Sequence, residues 1–310
     1  MPETLVFYSA FDDFETWRAA LNAELPDLDI RRAEDVEDPL SVRYALVWKP
    51  PAGFFAPYAN LGMVINLGAG VDSLVQRNDL PNVPITRLSD PNMSRMMAGF
   101  VLFAVLRYAR DIPVFEQAQR DGVWKYVHPR DPKDVRVTVL GLGELGSTAA
   151  RELARQGFDV TGWARSPKQI DGVTCLSGAE TFDDALKAAE ILVVMLPSTP
   201  QTRKLLGEDQ LSLLPAGAKF INVSRGDVVD QPALVAALTS GRISEATLDV
   251  FEVEPLPPGD PLWTLPNVLI TPHLASIALP ASASIQIAEN IRRLRKGLDP
   301  LAKIDLAKGY

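Results

Sequence analysis

Residues 135–146 read VRVTVLGLGELG, and residues 147–157 continue STAARELARQG. Val135 to Leu140 are apolar or β-branched apart from Arg136, the composition of a buried strand. The strand runs without a spacer into Gly141, Gly143 and Gly146, and Leu145 to Gln156 has helical character. A strand, G-x-G-x-x-G and a helix in succession form the context that gives the glycine pattern a physical meaning. The first glycine permits the tight turn, the second lets the backbone approach a pyrophosphate, and the third allows helix and strand to pack closely. The helix start then offers N–H groups and the positive end of its dipole to phosphates. A dinucleotide is the favoured ligand, against the alternative of a tight turn with no ligand.

Outward from this turn, short runs rich in apolar and β-branched residues recur at Leu5–Tyr8, Tyr44–Trp48, Met63–Leu67, Ile191–Leu196, Lys219–Val223, Ala246–Val250 and Val268–Ile270. Helical segments such as Phe182–Ala189 and Ala233–Leu238 lie between several of them, so strand and helix alternate as in a parallel α/β sheet. Residues Pro91–Gly122 separate two regions of this alternation. Within them Met96–Leu106 is apolar on nearly every side, which suits a helix buried either in its own domain or against a second subunit. Pro113 is expected to end or kink that helix.

The chain has 310 residues, a length that suggests two domains, and its 47% hydrophobic and 23% charged residues suit a soluble globular protein. A net charge of −8 gives no general attraction to nucleic acid or anionic membranes. The longest apolar run falls short of the roughly 18 residues of a membrane span, and no secretory signal is apparent at the N-terminus. Cys175 is the only cysteine, which suits a reducing compartment. A cytoplasmic protein is the expectation, with no nucleic-acid or membrane partner and no metal site.

About 20 residues beyond the glycine turn, an NAD-specific site places an acid at the end of the second strand. Here the sequence is DVTGWARSPKQ, with no acid at the strand end. Arg165, Ser166 and Lys168 can bind a 2′-phosphate that an acid would repel, so NADPH is expected over NADH, with NADH still possible.

Three later strands deliver polar residues at their ends: Ser224 and Arg225 in FINVSRGDVVD, Asp249 and then Glu254 in TLDVFEVEP, and His273 in NVLITPHLAS. Ligands of open α/β sheets bind beyond the carboxyl ends of strands, so these loops are expected to converge. Arg225 would bind and polarise an anionic or carbonyl substrate. His273 would give or take a proton near neutral pH, and Glu254 would orient its ring and favour the protonated form. Taken singly, each also reads as an ordinary residue: a structural histidine, a loop salt bridge, a solvated acid. His128, in a polar loop, reads as structural.

The stretch from LLPAGAKFINVSRGD through TLDVFEVEPLPPGDPLW to LITPHLAS closely resembles the signature of the D-isomer-specific 2-hydroxyacid dehydrogenases. With LGAGVDSL at Leu67–Leu74 and GLGELG, the resemblance covers most of the chain. VWKPP, the ARS segment and PLPPGDPLW are most similar to the glyoxylate/hydroxypyruvate reductase A branch.

The resemblance implies two Rossmann-like or flavodoxin-like α/β domains with doubly wound parallel sheets and an active-site cleft between them. The catalytic domain would be discontinuous, from 1–92 and 276–310, with an NAD(P)-binding domain at 93–275. It implies Arg225, Glu254 and His273 as the catalytic residues. Backbone amides of Ala69 and Gly70 would hold a substrate carboxylate, where small residues permit close approach, with Trp48 walling the pocket and Arg225 and His273 also touching substrate. Asp249 would contact the nicotinamide carboxamide. The cofactor contacts expected in all are Gly141, Gly143, Glu144, Leu145, Gly146, Arg165, Ser166, Lys168, Leu196, Pro197, Val223, Ser224, Asp249 and Ser276. Glu144 stands where many relatives carry a basic residue, which could lower cofactor affinity. A homodimer through the Met93–Arg110 helix region is implied as well. The activity expected is NADPH-dependent reduction of glyoxylate or hydroxypyruvate. The competing readings are a dehydrogenase for a bulkier 2-oxo acid and a non-catalytic dinucleotide sensor.

Overall fold

The computed structural model describes residues 3–305, so the last part of the expected catalytic-domain segment, 306–310, lies outside the described residues. The chain divides into two compact units, Met1–Met93 with Ile277–Tyr310, and Ser94–Ser276.

The first unit holds a five-stranded sheet of β1 (Thr4–Tyr8), β2 (Asp29–Arg32), β3 (Val42–Val47), β4 (Met63–Asn66) and β5 (Ile85–Thr86), all parallel, in the order β2-β1-β3-β4-β5. Helix Phe14–Glu24 buries Phe14, Trp17 and Leu21, spaced to fall on one face, and the Asp13 side chain caps it by accepting the Thr16 N–H. Helix Pro280–Arg295 joins the same core, in which Ala283, Ile287, Ala288 and Ile291 are completely buried with Leu5, Trp17 and Leu46.

The second unit holds a seven-stranded parallel sheet of β6 (Arg136–Leu140), β7 (Asp159–Ala164), β8 (Val173–Ser177), β9 (Ile191–Val194), β10 (Ala218–Asn222), β11 (Ile243–Leu248) and β12 (Val268–Ile270). Its order is β12-β11-β10-β9-β6-β7-β8. The chain builds outward from β6 through β7 to β8, then crosses to β9 on the other side of β6. The strand order therefore reverses between β6 and β9, where doubly wound sheets open a crevice for ligands. In the first unit the same reversal falls between β1 and β3.

Each apolar run singled out in the sequence overlaps a strand. Strands β2, β5, β7 and β8 were not marked by such a run; β7 is the second strand read from DVTGWARSPKQ, and the other three lie at sheet edges. Strand β2 buries only Ile30 fully, and β8 is only partly buried, so neither needs continuous apolar sequence.

The apolar segment after Pro91 is a helix, Pro91–Ala109, but Pro113 neither ends nor kinks it. The chain turns at Asp111, whose φ of 53° is left-handed, and Pro113 sits in the first turn of a second helix, Ile112–Arg120. A proline is tolerated there because the N–H it lacks has no intrahelical partner anyway. The first helix buries Met97, Ala98, Val101, Ala104, Val105 and Tyr108 in the second unit's core. Phe103 and Leu106 on its other side are exposed. Among the described residues no helix is long and apolar enough to cross a membrane.

Candidate active site

Three glycines of the turn after β6 meet three different surroundings. Gly141 has φ of 104°, and a Cβ there would lie 2.5 Å from the Met195 carbonyl oxygen, so only glycine fits between β6 and the end of β9. A Cβ on Gly146 would lie 1.9 Å from the Gly141 carbonyl oxygen, so its absence lets helix Glu144–Arg155 seat on the strand. Gly143 is exposed, and a Cβ there would meet nothing within 4 Å. That glycine leaves open space directly at the helix start, a cradle that fits a pyrophosphate. Glu144 beside it is exposed, Leu145 half-buried.

The neighbouring strand ends are in step. Leu140 pairs with Trp163 and with Val194, Gly141 donates its N–H to the Trp163 carbonyl at 2.8 Å, and Met195 donates to that of Leu140 at 2.8 Å. The turn is therefore flanked by Leu196 and Pro197 beyond β9 and by Arg165, Ser166 and Lys168 beyond β7. The latter three are all exposed, and no acid interrupts them.

On the other wing Asn222, Leu248 and Ile270 are paired across β10, β11 and β12, so three loops leave the sheet together. Asn222, buried at the end of β10, shapes the first. Its Oδ1 accepts the Ser224 N–H and hydroxyl at 3.1 and 2.9 Å, and its Nδ2 donates to the Arg225 carbonyl at 3.0 Å. Val223 and Ser224 are buried, and the half-buried Arg225 donates from Nη1 to the Ser224 carbonyl at 2.7 Å. Gly226 comes next, and a Cβ there would lie 1.9 Å from the Phe251 carbonyl carbon. That close approach brings the loop carrying Arg225 against the loop carrying Glu254.

Asp249 is almost wholly buried, with 1% of its surface exposed, and its carboxylate binds the third loop. Oδ1 accepts the Thr271 hydroxyl at 2.6 Å and the Leu274 N–H at 2.9 Å, while Oδ2 accepts the Ala275 N–H at 2.9 Å. The Asp249 carbonyl accepts the His273 N–H at 2.8 Å. The clamp holds His273 in a left-handed backbone conformation, φ 55°, uncommon for a residue other than glycine. The residue expected to face a nicotinamide thus fixes the histidine loop with three of its acceptor sites.

Nδ1 of His273 lies 2.9 Å from Oε2 of Glu254, with the two side chains 29% and 21% exposed. Oε1 of Glu254 accepts the Phe251 N–H at 3.1 Å, which fixes the carboxylate in turn. An imidazole held at Nδ1 presents Nε2 as its working atom, the arrangement of a general acid or base. Ser276 is the last residue of this unit and half-buried. His128 lies in an exposed stretch, 3.3 Å from the Tyr126 hydroxyl. Among the described residues no cluster of His, Cys, Asp or Glu is placed to hold a metal ion.

The first unit carries Trp48, Ala69 and Gly70. Trp48 follows β3 at that sheet's own reversal and donates its N–H to the Tyr8 carbonyl at 2.8 Å. Its ring rests on Gly68, where a Cβ would stand 2.6 Å from the indole. Asn66, completely buried at the end of β4, donates from Nδ2 to the carbonyls of Gly68 and Gly70 at 3.0 and 2.7 Å. Because the peptide is planar and trans, turning the Gly68 carbonyl toward Asn66 turns the Ala69 N–H to the opposite side.

Asn66, Asn222 and Gly226 were not among the residues singled out in the sequence. The signal was an asparagine closing an apolar run, at MVIN and KFIN, and a glycine directly after the arginine.

A sequence profile described as "D-isomer specific 2-hydroxyacid dehydrogenase, NAD binding domain" matches residues 102–275. The chain is 38% identical over 312 aligned residues, 99% of each protein, to a glyoxylate/hydroxypyruvate reductase A of Yersinia enterocolitica. Among solved structures, it is 62% identical, with a TM-score of 0.96 and 100% of both chains covered, to a D-isomer specific 2-hydroxyacid dehydrogenase from Xanthobacter autotrophicus Py2 in complex with NADPH and MES. It is 32% identical, TM-score 0.94, to an NADPH-dependent glyoxylate/hydroxypyruvate reductase from Sinorhizobium meliloti in complex with NADP and sulfate, covering 99% of this chain and 100% of that one. With the profile spanning more than half its length and these relatives matched from end to end, the chain belongs to the D-isomer specific 2-hydroxyacid dehydrogenase family.

Proposed function

We propose that the chain is an NADPH-dependent reductase of small 2-oxo acids, converting glyoxylate to glycolate and hydroxypyruvate to D-glycerate. The observation that carries this reading is the His273–Glu254 hydrogen bond, held in place by the Asp249 clamp, at the ends of strands that also carry the glycine turn. Similarity to reductases with these names and to structures containing NADPH or NADP supports it.

In this reading Ser94–Ser276 binds the coenzyme and the other unit binds substrate. The amides at the start of helix Glu144–Arg155 hold the pyrophosphate. Arg165, Ser166 and Lys168 hold the 2′-phosphate. When bound, NADPH supplies a hydride to the substrate carbonyl carbon. His273 donates the proton from Nε2 to the carbonyl oxygen, while the Glu254 carboxylate offsets the positive charge of the ring. Arg225 binds the substrate and polarises its carbonyl. The amides of Ala69 and Gly70 hold the substrate carboxylate, and Trp48 limits substrate size.

The assembly in this reading is a homodimer through the Met93–Arg110 helix region, where Phe103 and Leu106 place apolar surface in solvent on a helix whose other face is already packed. The compartment is the cytoplasm, with which the single free thiol of Cys175 agrees.

The test is oxidation of NADPH and NADH by purified protein with glyoxylate, hydroxypyruvate, pyruvate and phenylpyruvate. Fast NADPH-dependent turnover of the two small polar acids is expected. Preference for phenylpyruvate would replace the substrate, and NADPH binding without turnover of any acid would replace the enzyme with a dinucleotide sensor.

A further inference from the structure

The connection from β3 to β4 in the first unit has no α-helix, and it begins Trp48-Lys49-Pro50-Pro51-Ala52-Gly53. Two successive prolines carry no amide hydrogen, so this stretch must be fixed largely through its carbonyls. Lys49 adds a left-handed φ of 46°. A chain with so few donors and one strained residue needs an external hold.

Arg77 supplies it. Its Nη1 donates to the Pro50 carbonyl at 2.6 Å and its Nη2 to the Pro51 carbonyl at 2.8 Å. Nε and Nη2 also grip both oxygens of Asp79, at 2.8 and 2.6 Å. Asp79 Oδ2 in turn accepts the Gly53 N–H at 2.7 Å. The Arg77 hydrogen bond, reinforced by that of Gly53, holds the Asp79 carboxyl below its ordinary range. The Arg77 side chain is only 12% exposed, and its guanidinium lies 5.4 Å from the centre of the Phe55 ring. This planar fork makes four hydrogen bonds from three nitrogens, to two carbonyls and both carboxylate oxygens, one more than the three N–H groups of a lysine ammonium can supply.

Arg77 is itself tied to the turn at Ala69 and Gly70. The short helix Asp72–Val75 follows that turn directly, and Arg77 donates its N–H to the Leu74 carbonyl at 3.0 Å. The guanidinium therefore fastens the segment beginning at Trp48 to the segment beginning at Ala69. Where the Trp48 ring rests on Gly68, the two segments already touch.

We propose that Arg77 and Asp79 form a positioning pair that sets the size of 2-oxo acid accepted, by holding the 48–53 loop and with it the Trp48 ring. The proposal rests on the reductase reading, in which Trp48 walls the substrate pocket. Neither residue touches substrate; both act through the loop.

The test compares wild type with Arg77→Lys and Asp79→Asn, using NADPH oxidation with glyoxylate and with phenylpyruvate, NADPH titration, thermal melts, and hydrogen exchange of the amides at residues 48–56. Arg77→Lys should raise KM for glyoxylate about tenfold, as for loss of a charge-assisted contact, with kcat changed less than about threefold. The ratio of kcat/KM for phenylpyruvate to that for glyoxylate should rise, NADPH affinity should stay constant, and exchange at Lys49 and Gly53 should quicken. Asp79→Asn should shift each quantity the same way, and it carries the test if Arg77→Lys does not fold. A lowered Tm with an unchanged substrate ratio would overturn the proposal, because a merely structural role moves stability alone. Wild type that reduces no 2-oxo acid would overturn the reductase reading and the size role with it. In that case unchanged exchange in both variants would also overturn the clip as a hold on the loop.

Discussion

Oε2 of Glu254 stands 2.9 Å from Nδ1 of His273, while Oε1 of the same carboxylate is tied to the Phe251 N–H. The ring is gripped at one nitrogen by a group that is itself fixed, so only Nε2 is left to handle a proton. His273→Asn is expected to lower kcat by about 10² to 10⁴, the usual worth of a general acid, with NADPH affinity unchanged. Steady-state kinetics and a binding titration check this; full activity in the variant would remove His273 from the chemistry.

The two glycines Gly143 and Gly146 should respond oppositely to the same methyl group. At Gly143 an added Cβ meets no protein atom within 4 Å, so Gly143→Ala should leave the melting temperature of the free protein unchanged and weaken NADPH by at least tenfold. At Gly146 the methyl would collide with the Gly141 carbonyl, so Gly146→Ala should unfold the turn. Thermal melts with and without NADPH separate the two effects.

Gly226→Ala should be severe although the residue itself is only half-buried. Its Cβ would sit 1.9 Å from the Phe251 backbone, and backbone cannot rotate aside as a side chain can. Overpacking of this kind typically costs about 1–3 kcal/mol. Urea unfolding should register that loss, and kcat should fall with it because the Arg225 and Glu254 loops are forced apart.

Arg165→Ala tests the cofactor preference. If the guanidinium binds a 2′-phosphate, KM for NADPH should rise about tenfold or more, the worth of a charge-assisted hydrogen bond, while KM for NADH stays constant. Equal effects on both coenzymes would dissociate Arg165 from the phosphate.

Glu245 on β11 supplies a pH dependence. Burial raises its carboxyl above the ordinary value of 4.5, opposed by Arg107 and assisted by Glu116. A carboxyl raised in the fold contributes stability that is complete below its unfolded value and is lost as pH climbs through its folded value. Glu245→Gln should therefore raise Tm near neutral pH, with the two curves converging at about pH 4.

Much of this was legible in the sequence. The glycine turn and the apolar strands that end in Arg225, Asp249 and His273 could be read because buried parallel strands leave continuous apolar runs. Strands β2 and β8 escaped notice because a sheet edge does not require that signal. The helix break before Pro113 was assigned to the proline, when the turn belongs to the left-handed Asp111. Least visible were the side chains that shape the loops. Asn66 and Asn222 each close a strand and fold the following turn through backbone hydrogen bonds, a role that depends on orientation rather than composition. Asp249 was singled out for a ligand contact, whereas its grip on the 271–275 loop involves partners 22–26 positions away.

The helix Pro280–Arg295 imposes an order on synthesis. The core of the first unit needs Ala283, Ile287, Ala288 and Ile291 to cover Leu5, Trp17 and Leu46, yet those four residues leave the ribosome only after the whole of Ser94–Ser276. The nascent N-terminal sheet must wait with one face only partly covered, by helix Phe14–Glu24, while the second unit, whose core clusters take nothing from either end, can close around its own sheet. At about 5–20 residues per second that wait lasts roughly ten seconds or more, so the first five strands, translated earliest and finished last, keep apolar surface exposed longest in the newborn chain.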